Sequence, residues 1–385
     1  MVYKFHQTEY DLMLELLEEG LEFTDYRVRD STLILIGDLL NGLAGNTGSV
    51  SYETNADAQT EARIMEYLGV GRRNEVFSVL YMARSDNEQP VRSRANITWK
   101  GLVYNSSRML KAILDTLMHL LINALASHNR DRQMAGSKSL GDLVRNAAQF
   151  VLPKIVPVLR KGLQSESEDD SYKEGLALGL SEVLQNAHAR LIEEYEQDLI
   201  ESISLGIRDR LLRVRNASGK AFNVAVKVFG RRCINQIVPA LVASLHIEGL
   251  KQLLQCPPKT CEQLILPYLI RELLEKNEEL KAISLLAKDI EVHCSSYLNK
   301  YITDIFKSVC NIVAKHSADP DGDGEEMLKY GHKIIVDGVP AECTHLLLTT
   351  AIEFVNAGSI EVGYLIAFKS LNFRIGALTL NQCVL

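Results

Sequence analysis

The sequence predicts an all-α fold, an α-solenoid (superhelix) of stacked helical hairpins. Three observations carry that expectation. One segment form recurs between residues 25 and 228. Apolar and small residues inside each copy advance by three and four. Strand signals are sparse, with 6% aromatic residues and 9 prolines in 385 positions.

The repeat is the strongest of these. DYRVRDSTLILIGDLLNGL (25–43), QPVRSRANITWKGLVYNSS (89–107), DRQMAGSKSLGDLVRNAAQ (131–149) and DSYKEGLALGLSEVLQNAH (170–188) share a basic or polar start and a small-residue helix. RLLRVRNASGKAFNVAVKV (210–228) keeps the Val-Arg start and the small residues. The position after the polar start falls at Val28, Val91, Met134, Tyr172 and Val214, giving steps of 63, 43, 38 and 42. The last three fit HEAT-type helical hairpins, whose period is about 40–47 residues. The long first step contains AGNTGSVSYETNADAQTEA (44–62), which reads as a polar inserted loop.

Each copy is followed by a second apolar stretch: LPKIVPVLRKGL (152–163), IVPALVASL (237–245) and LPYLIRELLEK (266–276). Their prolines read as helix openers, because the missing N–H has no partner in a first turn. Three helical faces follow from the spacing. They are Val28, Thr32, Leu35, Leu39 and Leu43; Leu140, Leu143, Val144, Ala147 and Val151; and Val214, Ala217, Ser218, Ala221, Ala225 and Val228. One hairpin cannot bury such a face, but stacked neighbours can, at ~25 cal/mol per Å² of apolar surface. The expected organisation is an array over 1–245 with its insert at 44–62, and weaker HEAT-type units over 246–315. An acidic loop at 316–327 and a diverged helical tail at 328–385 follow.

Composition then bounds function. The chain is 46% hydrophobic and 24% charged, a globular balance. Its net charge of −7 argues against a chain built as a whole to grip nucleic acid. The cysteines (Cys233, Cys256, Cys261, Cys294, Cys310, Cys343 and Cys383) form no CxxC and read as reduced thiols. No apolar run reaches the ~18 residues of a membrane span. The start, MVYKFHQTEYDLML, carries acids where a signal peptide needs an apolar core. A cytoplasmic chain is expected, with the sequons at Asn96, Asn105 and Asn216 as chance matches.

No motif supports catalysis. Asp319, Asp321, Asp323 and Gly324 match the first positions of a calcium loop, but Tyr330 stands where the bidentate Glu is required and Glu326 where an apolar anchor is usual. The segment reads as an acidic turn. GVGRRN (69–74) lacks the third glycine and the preceding strand of a dinucleotide site. GSKS (136–139) lacks phosphate-loop spacing, and His293 and Cys294 have no partners at metal spacing. The expectation is a non-enzymatic chain with no catalytic residue, metal, cofactor or small-molecule substrate.

Basic clusters are the remaining candidates. Arg208, Arg210, Arg213 and Arg215 stand at a helix entry, followed by Lys220. Arg27 and Arg29, Arg72 and Arg73, and Arg92 and Arg94 occupy similar joints. Two readings stay open. One is a ridge that meets an acidic partner or a phosphate backbone. The other is repeat-to-repeat pairing with Asp25, Asp30, Asp38, Asp142 or Asp209.

The runs DYRVRDSTLILIGDLL, LGVGRRNEVFSVLYMARSD, VRSRANITWKGLVYNSSRML, SLGDLVRNAAQFVLPKIVPVLRKGLQS and GLALGLSEVL, in this order and spacing, resemble the general-control translational activator family. The resemblance covers about 22–245, weakens to about 315 and is lost in the tail. It implies a fragment or a short, diverged member, with apolar faces at its ends that favour self-association. It also implies a scaffold that binds translating ribosomes and carries to them the kinase that phosphorylates initiation factor 2 alpha. The implied kinase contact is an RWD domain, engaged by the family's C-terminal region. No single contact residue is carried over from the family. A generic HEAT scaffold of another pathway is the alternative.

Overall fold

The computed structural model describes residues 15–17, 19–45, 58–165, 169–244, 246–255, 257, 261–269, 281, 283–290, 329–334, 337 and 349. Among the described residues there is no strand. The elements are α1 (Tyr26–Leu43), α2 (Ala58–Ala83), α3 (Gln89–Leu102), α4 (Ser106–Leu125), α5 (Arg130–Gln164) and α6 (Asp170–Asn186). Then come α7 (Ala189–Ile192), a 3-10 turn (Glu193–Tyr195), α8 (Glu196–Ile207), α9 (Leu212–Phe229), α10 (Arg231–Ala243), α11 (Ile247–Leu254) and a π-helical turn (Cys261–Ile265). The fold is the expected all-α stack of HEAT-type hairpins. The chain forms two compact units, Met1–Gly206 with Leu211–Val224, and Ile207–Arg210 with Ala225–Leu385.

In the first unit the repeat sets the helix starts. After the long first step, first helices begin at Gln89, Arg130, Asp170 and Leu212, 40 to 42 residues apart. Short polar side chains fix two of these starts and that of α1. Asp25 accepts from the backbone N–H of Arg27, Asn129 from Asp131 and Arg132, and Asp169 from Ser171 and Tyr172. Asn105 does the same for a second helix, accepting from Arg108. Each satisfies an orphan donor of the first turn and contributes ~1 kcal/mol. Helix α1 packs on α3, α2 on α4, α4 on α5 and α5 on α6.

Two helices contain their own turn. Gly69 adopts φ 72°, a left-handed value that suits glycine, and divides α2. Ala147 (φ −145°, ψ 28°) divides α5. The second helices therefore open before the prolines, which corrects the reading of proline as opener. Pro153 and Pro157 lie inside α5, and Pro239 lies inside α10. Helix α10 begins at Arg231, after Gly230 at φ 60°. Gln149, Pro153 and Pro157 share an exposed stripe. The carbonyls that lose an N–H partner there face water, so interior proline is tolerated.

The expected faces of α5 and α9 are buried at Leu140, Leu143, Val144 and Val151, and at Val214, Ala217, Ser218, Ala221 and Ala225. The α1 face is only partly as expected, with Thr32, Leu39 and Leu43 buried. Leu35 is 56% exposed and Val28 is exposed as well, while Leu33, Ile36 and Leu40 are buried. Helix α1 packs on both α2 and α3, which selects a broader arc than one three-four stripe. Phe77 and Tyr81 of α2 meet Trp99 of α3 edge-on, with centroids 6.1 and 5.4 Å apart. Small residues allow close approach. A Cβ on Gly175 of α6 would lie 1.8 Å from the carbonyl oxygen of Leu125, at the end of α4.

The expected insert is shorter at its C-terminal end, because residues 58–62 already belong to α2. Residues 46–57 of that insert, the acidic loop at 316–327 and most of the tail lie outside the described residues. In the second unit α10, α11 and the π-helical turn pack together. His246 caps α11, its Nδ1 accepting from Gly249 N–H at 3.0 Å. Cys233 and Cys261 are buried and form no disulfide.

Candidate partner-binding surface

The basic candidates divide by burial. Arg213 and Lys220 are exposed on α9, seven residues apart and so on one helical face, roughly 10 Å from each other along the axis. Lys227, seven residues further on, is exposed too. Helix α9 contains no Asp or Glu, and none occurs between Arg210 and Arg232. Arg208 and Arg210 are exposed in the turn before α9. Arg215 departs from the expected ridge. It is 8% exposed. Two residues beyond Arg213, it is rotated about 200° away and faces inward with Val214 and Ser218.

Of the other arginine joints, Arg29, Arg92 and Arg94 tie one helix or turn to another, Arg72 pairs within its own helix, and Arg27 is exposed. Arg29 of α1 grips Asp86, in the turn between α2 and α3, with Nε at 2.8 Å and Nη2 at 3.0 Å. Both side chains are only 13% exposed. Arg94 of α3 pairs with Asp30 of α1 at 3.2 Å. Arg92 donates to the carbonyls of Asp86 and Asn87, at 2.6 Å each. Arg72 pairs with Glu75 one turn on, at 2.7 Å. Asp86 was absent from the expected acids. Its signal lay in the ARSD end of the α2 run, where it can bond both the α1 arginine and the Glu88 N–H (2.8 Å).

The same run builds a polar node. Tyr81 Oη donates to Asp142 of α5 at 2.7 Å. Arg84 donates to Asn96 at 2.9 Å and lies over the rings of Tyr81 and Trp99. Burial, with the Asp142 carboxylate beside it, holds the Tyr81 phenol well above its ordinary range. Burial also pulls the Arg73 guanidinium down, Glu61 opposes this, and the like charge of Arg108 adds to the lowering. These groups bind one another and tie three hairpins. Among the described residues no three His, Cys, Asp or Glu side chains gather as metal ligands. No described helix is long and apolar enough to cross a membrane.

Comparison with known proteins agrees with the repeat. No family model matches the sequence. A mouse protein called stalled ribosome sensor GCN1 is 34% identical over 283 residues, 70% of this chain and 10% of that protein. A Dictyostelium discoideum protein called eIF-2-alpha kinase activator GCN1 is 31% identical over 336 residues, 81% of this chain and 12% of that protein. The chain belongs to the GCN1 family. It spans about a tenth of the length of the curated GCN1 relatives it matches. A solved chain of a Kap95:Nup1 complex is also similar, at 14% identity and a TM-score of 0.41, covering 95% of this chain and 46% of that one.

Proposed function

We propose that this GCN1-family chain is a non-enzymatic scaffold of translational control, working in the cytosol. It holds ribosomes and the kinase that phosphorylates initiation factor 2 alpha close to one another. The kinase partner is its RWD domain. Two kinds of support meet here. Relatives carry the names stalled ribosome sensor and eIF-2-alpha kinase activator. In a chain of net charge −7, the stretch from Arg210 to Arg232 carries seven basic residues and no acid, and Arg213, Lys220 and Lys227 of α9 are exposed. Tethering two partners on one array makes their encounter nearly intramolecular, which raises effective concentration without any catalytic group.

The observation that carries the reading is the exposed line Arg213–Lys220 on α9, with Arg208 before it. The test is a titration of the chain with the isolated RWD domain at physiological salt. Reversing Arg208, Arg213 and Lys220 to Glu should weaken binding at least about tenfold, with helicity retained. Arg215 is left in place because it is buried and its loss would confuse packing with binding. Binding that survives the reversal removes α9 as the contact. No binding to either the RWD domain or ribosomes overturns the scaffold reading in favour of another pathway.

A further inference from the structure

The turn side of the first three hairpins encloses a cavity of about 230 Å³. Its floor is apolar: Val79 and Met82 of α2, Val91 of α3, Leu120 of α4 and Ala135 of α5. Residues 22–24, which are not helical, run along its mouth. Two arginines hold that segment. Arg29 Nη1 donates to the carbonyls of Phe23 (2.7 Å) and Thr24 (2.9 Å) while its other nitrogens hold Asp86. Arg132 pairs with Glu22 at 2.6 Å. The Phe23 ring lines the mouth and is 57% exposed.

The charge at this mouth is unbalanced. Arg29 and Arg132 are each matched by an acid. Asp131 is exposed and, among the described residues, meets no cation. Asp131 accepts only from the side-chain amide of Asn87, at 3.1 Å. The volume falls below the ~300–1,000 Å³ of small-molecule pockets, and it suits one large side chain. An apolar pocket rimmed by polar groups is the usual seat of an interface anchor.

We propose that this cavity docks a single large apolar side chain of an extended partner segment whose next residue is Lys or Arg. The apolar side chain lies between the Phe23 ring and the Met82–Leu120 floor, and the cation meets Asp131. The site is separate from α9 and stands whether or not the α9 reading does.

The experiment follows the Met82 methyl resonance of the full chain by NMR, assigned through Met82→Leu. The probes are two peptides, acetyl-Ser-Phe-Lys-Ser-amide and its Glu counterpart. The Lys peptide should shift the Met82 signal and bind roughly fivefold tighter than the Glu peptide. Asp131→Asn should erase that preference and keep the shift. Ala135→Leu, or Ala83→Leu if the first alters melting, should abolish the shift by filling the cavity from α5 or α2. No Met82 shift, equal affinity for the two peptides, or binding that persists in a folded cavity-filling variant each overturns the proposal.

Discussion

A half-buried carboxylate on α6 gives the array a specific pH dependence. Glu182 accepts from Asn186 Nδ2 at 3.0 Å and lies near Lys138 and Arg145. Burial pushes its pKa up, and the hydrogen bond and the two cations only partly offset this. Below the unfolded value of about 4.3 both states are protonated and burial carries no charge penalty. As pH rises from there through the folded value, the native state keeps its proton longer and stability falls. Above the folded value the loss is complete. Glu182→Gln should therefore raise Tm most near pH 7, and the gain should shrink toward pH 4. A gain independent of pH would show that burial of the charge is not the cause.

Helices in this array are positioned by what they lack as much as by what they carry. Gly175 lets α6 lie directly on the Leu125 carbonyl. Gly175→Ala should cost roughly 1–3 kcal/mol, because backbone on both sides must yield. Gly71 of α2 has nothing within 4 Å of its would-be Cβ. Gly71→Ala should be neutral or stabilising by up to about 1 kcal/mol, since it only improves helix propensity. Paired melting curves of the two variants check both signs. The element scale also explains why proline misled. Its spacing marks helix openings only when it stands in a first turn, and Pro153 and Pro157 stand instead on a solvent stripe.

Over the whole molecule, charge is segregated along the sequence. A net charge of −7 coexists with an acid-free stretch from Arg210 to Arg232. Exposed cations act through water, where the Debye length is ~8 Å at physiological salt. Partner binding through α9 should weaken several-fold between about 50 and 300 mM salt, read as the slope of affinity against salt in the same titration. An affinity flat across that range would exclude Arg213 and Lys220 as the contact. The interior ties would not respond in this way, since the Arg29–Asp86 pair is largely withdrawn from solvent.

By itself the sequence determined the helical class, the repeat period and the starts of the first helices. These depend on local chemistry: a capping Asp or Asn, three-four spacing and small residues, all written in consecutive positions. It also singled out the basic residues at 208–220 as candidates, with a partner-facing ridge and repeat-to-repeat pairing both open. Only the tertiary structure decided which arginines face out. Arg213 and Arg215 look alike in sequence, yet one is exposed and the other is 8% exposed, because the helix turns about 100° per residue and its orientation is set by neighbours. The same holds for Leu35 against Leu33, and for Asp86, whose partner Arg29 is 57 residues away. The cavity under residues 22–24 was equally illegible, for its walls come from the five helices α1 to α5 and no single stretch of sequence carries their convergence.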